Sequence, residues 1–432
     1  MKAPSSDTPR VLQRAEHSIS RKNIHVNALK VLYRLRKRGH LAYLVGGGVR
    51  DLLIDRVPKD YDIATDARPQ QMKGLFRNSR IIGRRFRIAH VYFHGGIVEV
   101  ATFRRDPDPE GQAGAPGQLL ITDDNIFGTP REDAFRRDFT VNALFYEISD
   151  FTVVDYVGGL NDLRDGVIRC IGDPDVRFQE DPVRMLRACE LAARLGFEID
   201  PVACDSMSRH SRRIEQGAPA RISEEILQIL GCGSSAPAFG WMRKLGLLEH
   251  LLPPCGVGSN STDKVIVGRT QLLASLDEGV NNGVKLSPVV LTACLLLPDY
   301  LRAQAAAAES ARGLPRYRVR ELASEHVKPF SERFSLPRQR TEQIVQSLQV
   351  LYGLQRPHLT PRDRVRQAGR PGFGEALDLL ALLADAGDAE GIHRDQISPW
   401  RALQKRVARP IEQPVGPQKR RRPPHRRRRR RG

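Results

Sequence analysis

The order of apolar and polar positions divides the chain into two unlike parts. From Asn27 to Lys37, Ala28, Leu29, Val31, Leu32 and Leu35 recur at helical spacing, which predicts an amphipathic helix with one apolar stripe. Short runs of strand length follow at Tyr43–Val45, Tyr61–Ala64, His90–Phe93, Val98–Thr102, Ala143–Ile148 and Thr152–Tyr156, with helices such as Pro69–Phe76 between them. That alternation predicts an α/β head. Beyond Asp162 the strand signal fades. Helical spacing runs through Pro182–Leu195, Ser223–Leu230, Ala236–Gly246, Pro288–Ala308, Arg338–Leu351, Pro361–Ala368 and Phe373–Ala386. Turn signals at Gly196, Gly231, Gly246, Pro253 and Pro329 separate these helices, and no fixed-period repeat is present.

A chain of 432 residues exceeds what one hydrophobic core usually organises. The expected division is a flexible extension over 1–25, a head over 26–160, a helical neck over 161–260, a helical body and leg over 261–409, and a tail over 410–432. The tail is Arg-rich and has almost nothing to bury, so disorder is expected. Asp106–Asp124, rich in Gly, Pro and Asp, reads as a mobile loop beside the head. The longest apolar run, Val289–Leu297, is about half of the roughly 20 residues a bilayer span needs, and Met1–Lys22 has no apolar stretch resembling a secretory signal. A cytoplasmic, membrane-free protein is expected.

Six cysteines (Cys170, Cys189, Cys204, Cys232, Cys255 and Cys294) lie far apart without Cys-x-x-Cys or nearby paired histidines, so free, mostly buried thiols are expected rather than zinc or disulfides. The net charge of +19 points to a polyanion, bound largely through counterion release. Lys419–Gly432 holds ten of the cations and no acid.

The most informative chemistry lies between Leu44 and Asp62. An apolar strand ends in Gly46, Gly47 and Gly48, and Val49–Leu53 can start a helix, which together form a cradle for phosphate. Asp60 and Asp62 are two apart, a spacing that puts both carboxylates on one face of a strand and lets them share divalent metal. Glu99 alternates against Val98 and Val100 in a second strand and can bring a third carboxylate. Phosphate beside carboxylate-held Mg²⁺ is what in-line phosphoryl or nucleotidyl transfer needs. Further on, Arg136, Arg137, Asp138 and Asn142 offer guanidiniums suited to phosphate oxygens, with a carboxylate and an amide suited to ribose hydroxyls. At Glu180–Ala188 a helix begins, and Asp181, Arg184 and Arg187 at spacings of three share one face, where an acceptor and two forked donors can read a base edge.

In this order the motifs resemble those of the nucleotidyltransferase superfamily of DNA polymerase β, in the branch that holds bacterial poly(A) polymerases and tRNA CCA-adding enzymes. The run Ile81–Val91, with Arg84, Arg85 and Arg87, and the opening Ala15–Arg21 are similar to the poly(A) polymerases within that branch. The resemblance is dense over about residues 15–260. It implies a nucleotidyltransferase head followed by an all-α neck, body and leg, and untemplated addition of AMP from ATP to single-stranded RNA 3′ ends. It implies two Mg²⁺ ions on Asp60 and Asp62, with Asp138 or Glu99 as the third catalytic carboxylate. Gly46 and Gly47 would face the triphosphate with Arg50 nearby, Arg137 would serve nucleotide or metal, and Asp181, Arg184 and Arg187 would read the incoming base. RNA-degradation machinery is a partner the resemblance suggests. CCA addition is the alternative within the branch, and an RNA-binding adaptor without catalysis the alternative outside it. One departure stands out. Where the family continues Arg-Ala-Val-Arg-Phe-Ala, this chain has Arg187-Ala188-Cys189-Glu190-Leu191-Ala192, so a cation has become an anion within reach of Arg187 and Arg194. Nucleotide choice and activity are what this departure bears on.

Overall fold

A computed structural model describes residues 8–83, 87–105, 126–252, 263–309, 314–356, 359–387 and 397–407. The Asp106–Asp124 loop, Arg84–Phe86 of the basic run, Pro253, Cys255 and the tail over 410–432 lie outside the described residues. The head comprises β1 (Arg10–Leu12), α1 (Val26–Lys37), β2 (Ala42–Val45), α2 (Gly47–Leu53), β3 (Asp62–Thr65), α3 (Pro69–Leu75), β4 (Ser79–Ile82), β5 (Ile88–Phe93), β6 (Gly96–Thr102), α4 (Pro130–Arg136), β7 (Leu144–Glu147) and β8 (Val153–Asp155). They form one mixed sheet in the order β1-β8-β7-β2-β3-β6-β5-β4. Only β3 and β6 pair in parallel, because the α3–β4–β5 crossover returns the chain in the same direction.

The sequence pattern explains which face is covered. The apolar stripe of α1 (Ala28, Val31, Leu32 and Leu35) is fully buried, and α1 lies across β2, β3 and β6. On the other face Val45, Ala64, Phe103, Ala134 and Phe145 make a second, smaller cluster that covers only part of the sheet. The uncovered remainder borders the site described below.

The stretch up to residue 25, expected to be loose, instead joins the head from residue 10. β1 pairs antiparallel with β8, Arg10 opposite Asp155, and Ile19 is fully buried. His17 Nε2 donates to the Phe151 carbonyl at 2.8 Å.

The neck comprises α5 (Gly159–Asp165), β9 (Val167–Ile168), α6 (Pro174–Glu180), α7 (Val183–Leu195), β10 (Glu198–Ile199), α8 (Pro201–His210), α9 (Pro219–Leu230), α10 (Ser235–Lys244) and α11 (Leu248–Leu251). β9 and β10 form a two-stranded parallel ribbon. Helix α7 buries Val183, Met185, Leu186, Ala188, Cys189, Leu191, Ala192 and Leu195, and it packs on α9 and α10. The helical remainder is α12 (Asp263–Asn281), α13 (Pro288–Glu309), α14 (Arg316–Arg333), α15 (Arg338–Leu354), α16 (Pro361–Ala368), α17 (Phe373–Ala386) and α18 (Ile397–Val407). Pro329, read as a turn, sits inside α14 near its C-terminal end, where its missing N–H removes the helical donor to the Glu325 carbonyl without ending the helix.

Over Pro288–Ala308, α13 is long and apolar enough by composition to cross a membrane, but 61% of that window is buried inside the protein, as in a core helix. Among the described residues all cysteines are free thiols. Burial lifts the pKa of Cys170 and of Cys294 to about 12 each.

Candidate active site

A cleft of about 340 Å³ opens between head and neck, lined by Gly46, Gly47, Asp62, Asp133, Arg137, Asp138, Asn142, Asp181, Arg184, Arg187 and Arg221 among others. The glycine turn forms its floor. Gly46 has φ +69°, a conformation that costs other residues about 1 kcal/mol or more, and a Cβ there would come 3.2 Å from Arg137 Nη1. Its carbonyl accepts from the Val49 and Arg50 N–H groups, starting α2, while its own N–H donates to Leu144 O at 3.2 Å. Gly46 is therefore an adapter for the turn, not a free donor to phosphate. Arg50, expected near the triphosphate, is turned inward. It is 2% exposed, 2.6 Å from Asp51, and donates to Asn142 Oδ1, so it braces the turn from behind.

Asp62 begins β3, and Asp60 precedes the strand rather than sharing its face as the spacing suggested. Asp62 stands opposite Val45 on β2, and the register Ile63 with Val100 brings it beside Glu99 on β6. Glu99 alternates outward as expected and lies 3.3 Å from His90. Asp62 is open to the cleft, yet the surrounding protein partly desolvates it and the Glu99 and Asp60 carboxylates repel it, which outweighs the pull of Arg137 and pushes its pKa up to about 6. Among the described residues neither the Asp60 nor the Asp62 carboxylate has a hydrogen-bond or ion-pair partner, and no three His, Cys, Asp or Glu groups are close enough to form a ready-made metal cage. Carboxylates that are open to the cleft, mutually repelling and unpaired are a donor set that fits a divalent cation.

The remaining carboxylates of the cleft are all engaged. Asp138 accepts from Arg187 Nε at 2.7 Å, from the Phe139 N–H at 2.9 Å and from Asn142 Nδ2 at 3.3 Å. Burial alone would raise its pKa, but these donors outweigh it and hold the group below the usual carboxylate range. Asp133, on a helix started by Pro130 and the Thr129–Glu132 capping pair, binds Arg137 at 3.0 Å. Arg137 also donates to the Asn142 carbonyl at 3.1 Å and lies 5.1 Å from the Phe145 ring centre, so three contacts fix its guanidinium over the glycine turn.

The three residues expected to read a base all line the cleft, although only two are on α7. Asp181 has extended backbone between α6 and α7 and is gripped by both terminal nitrogens of Arg221, at 3.0 and 2.8 Å. Arg184 donates to Glu180 at 3.0 Å and to the Arg177 carbonyl at 2.9 Å. Arg187, half open to the cleft, is held by Asp138. Arg177 is buried and donates to the carbonyls of Arg136 and Arg137, tying neck to head. Sequence reading missed Arg177 and Arg221, and singled out Asn142 without foreseeing its grip on Arg50. Arg221 lies forty positions from Asp181, and nothing local marks the pair.

Glu190 is 6% exposed and binds Arg194 at 2.7 Å, not Arg187. Arg194, itself partly exposed, stands 3.6 Å from Asp51, so Glu190, Arg194, Asp51 and Arg50 form a charge-balanced, largely buried chain behind the glycine turn. Glu225 on α9 is also buried. Desolvation, with Glu190 and Asp138 nearby, pushes its pKa up to about 7 in spite of Arg187.

Comparison with known proteins agrees with this geometry. Residues 42–169 match the family model described as the poly(A) polymerase head domain, and residues 196–255 match the model described as the probable RNA and SrmB-binding site of polymerase A. Over 405 residues the chain is 40% identical to Poly(A) polymerase I of Salmonella typhi, spanning 91% of this chain and 85% of the relative. The chain belongs to the poly(A) polymerase family. The CCA-adding enzyme of Bacillus licheniformis is 38% identical over 229 residues, 53% of this chain and 56% of that enzyme. The crystal structure of Bacillus stearothermophilus CCA-adding enzyme in complex with CTP superposes with a TM-score of 0.60 at 24% identity, covering 88% of this chain and 81% of that one. The family's fold, a mixed-sheet head followed by a helical body, is thus the fold seen here.

Proposed function

We propose that this protein is a template-independent polynucleotide adenylyltransferase, transferring AMP from ATP to RNA 3′ ends with release of pyrophosphate. The observation that carries this reading is the cleft itself, where an unpaired Asp62 faces fixed guanidiniums above a glycine turn. Asp60 and Asp62 would hold Mg²⁺, which when bound acidifies the RNA 3′-hydroxyl and neutralises charge on the phosphates. Glu99 supports a role as third carboxylate better than Asp138, because Asp138 is committed to Arg187 whereas Glu99 neighbours Asp62. Arg137, pinned over Gly46, would orient phosphate oxygens. Asp181, Arg184 and Arg187, each held by a partner, would present a preset pattern to the adenine edge, so that protein rather than template selects the base.

Addition of adenylate rather than CCA is supported by the extent of the likeness. Poly(A) polymerase relatives match nine-tenths of the chain, the CCA-adding relative about half. The helical body and the basic tail would hold the rest of the RNA, with affinity strongly dependent on salt. Action in the cytoplasm, alongside RNA-degradation machinery, completes the proposal. The test incubates the protein with Mg²⁺, each nucleoside triphosphate separately, and either oligo(A) or a tRNA lacking its terminal CCA. Long adenylate tracts on oligo(A) from ATP alone are expected. Incorporation of CTP into the truncated tRNA would favour CCA addition, and no incorporation by freshly folded protein would favour the adaptor reading.

A further inference from the structure

Among the described residues, the part of the head sheet that no helix covers begins at the cleft and continues past the proposed catalytic carboxylates. Its exposed side is built from three cross-strand rows. Ile82, Ile88 and Ala101 form the first, and the last two of these line the cleft. Arg80, His90 and Glu99 form the second, with Asp62 next in register. Tyr92 and Ile97 stand opposite each other in the third. Here an aromatic and an aliphatic side chain lie in the open, at 37% and 51% exposure, on a strand pair that had every opportunity to bury them. The backbone beneath is fixed, since the Tyr92 N–H donates to Asn78 O at 2.9 Å. His90 packs edge-on to Tyr92 with ring centres 6.3 Å apart and holds Glu99. Arg80 is exposed at the outer end of the same face.

We infer that this open face is the track on which the last nucleotides of the RNA acceptor lie, with a base stacked on Tyr92 and Ile97 and the backbone facing Arg80. The inference rests on the proposed adenylyl transfer and assigns its second substrate a place. In-line displacement requires attacking and leaving oxygens on opposite sides of the α-phosphate. With the nucleotide in the arginine-lined cleft, the attacking hydroxyl approaches from outside it, and the row of Glu99, His90 and Tyr92 is the open surface that adjoins Asp62 away from those arginines. A flat, uncovered aromatic and aliphatic patch beside a cation is what single-stranded RNA uses for stacking without sequence preference. An enzyme that extends a homopolymer needs such a surface, because each added base must slide across it.

The experiment measures binding of fluorescent oligo(A) to the full chain by anisotropy without nucleoside triphosphate, and KM for RNA and for ATP separately. Tyr92→Ala is expected to weaken oligo(A) binding about tenfold and to raise KM for RNA by the same factor, with KM for ATP and the unfolding temperature unchanged. Tyr92→Trp restores binding, and 2-aminopurine near the RNA 3′ end is quenched by wild type but not by Tyr92→Ala. RNA binding unmoved by Tyr92→Ala, or KM for ATP rising in step with KM for RNA, overturns the track. Failure of the wild type to incorporate AMP at all defeats the proposed function instead, and leaves the binding arm to decide the track independently.

Discussion

Replacing Glu190 by Arg, the residue that the family pattern carries at this position, tests whether the departure is isolated or built into its surroundings. In the structure Glu190 is the buried terminal anion of a chain of alternating charges in which only Arg194 is partly exposed. Its carboxylate meets Arg194 at 2.7 Å, Arg194 lies 3.6 Å from Asp51, and Asp51 meets Arg50 at 2.6 Å. Glu190→Arg leaves Asp51 as the one anion among three guanidiniums behind the glycine turn, and breaking a buried pair costs about 3–5 kcal/mol. Glu190→Gln keeps an acceptor for Arg194 and removes only the charge, for a loss of about 1.5–3 kcal/mol. At roughly 2–4 °C per kcal/mol for a unit of this size, the Arg variant should melt about 6–20 °C below wild type and the Gln variant at an intermediate temperature. Far-UV circular dichroism melts measure this directly. Below the melting temperature of each variant, ATP incorporation per folded molecule should stay within about twofold of wild type, because Arg187 is positioned by Asp138 and not by Glu190. A Glu190→Arg variant that melts within 2 °C of wild type would refute the buried chain. One that melts normally but accepts CTP would return Glu190 to the base-reading machinery.

Asp62→Asn and Asp60→Asn should each lower AMP incorporation by at least a thousandfold while oligo(A) affinity stays within twofold, measured on the same preparations; near-normal rates in either would defeat the metal assignment. Arg221→Ala releases Asp181 from its two-pronged grip, so KM for ATP should rise about tenfold and the preference for ATP over CTP should shrink. Equal loss across all four nucleotides would make the pair structural. Glu225 has a folded pKa of about 7, above the ordinary 4.5, so it binds its proton more tightly in the folded state. Its contribution is favourable below about pH 4.5 and is lost as pH rises through about 7. Glu225→Gln should therefore raise the melting temperature at pH 8 by several degrees, leave it nearly unchanged at pH 5, and flatten the pH profile between, with an unaltered profile counting against a buried, proton-binding Glu225.

The head strands were legible in two ways: β5 and β6 alternate because one face is covered and the other open, whereas β2 and β7 are buried on both faces and read as short apolar runs. The edge strands were not. β1 has three residues, Arg10, Val11 and Leu12, and becomes a strand only because β8 offers a free edge. Helix α14 was missed although Val319, Leu322, Ala323, Val327 and Phe330 form a buried stripe, because its many charges and Pro329 mask the period.

The site divides along a different line. Of the charged positions that residue type singled out, Asp62, Asp138, Arg137, Asp181, Arg184 and Arg187 converge on one cleft. It did not separate the groups that face the cleft from those that hold them. Arg50 and Arg137 are both arginines in motifs, yet Arg50 is spent on Asp51 and Asn142 beneath the turn, while Arg137 lies above it. Asp133, Asp138 and Asp181 look like Asp62 on paper, but each is matched to a guanidinium: Asp133 to Arg137 four residues on, and Asp138 and Asp181 to Arg187 and Arg221 far along the chain. The two distant partners are chosen by tertiary contact and leave no trace in local spacing. Pair occupancy is what separates the roles. A carboxylate already satisfied by arginine is worth little to a metal, because binding the ion would strand the guanidinium in a poorly solvated cleft. In the proposed transfer the unpaired Asp62 gains most from a cation, and that difference, visible only after folding, is the reason for proposing the chemistry at the β3 end of the cleft and the recognition at the α7 end.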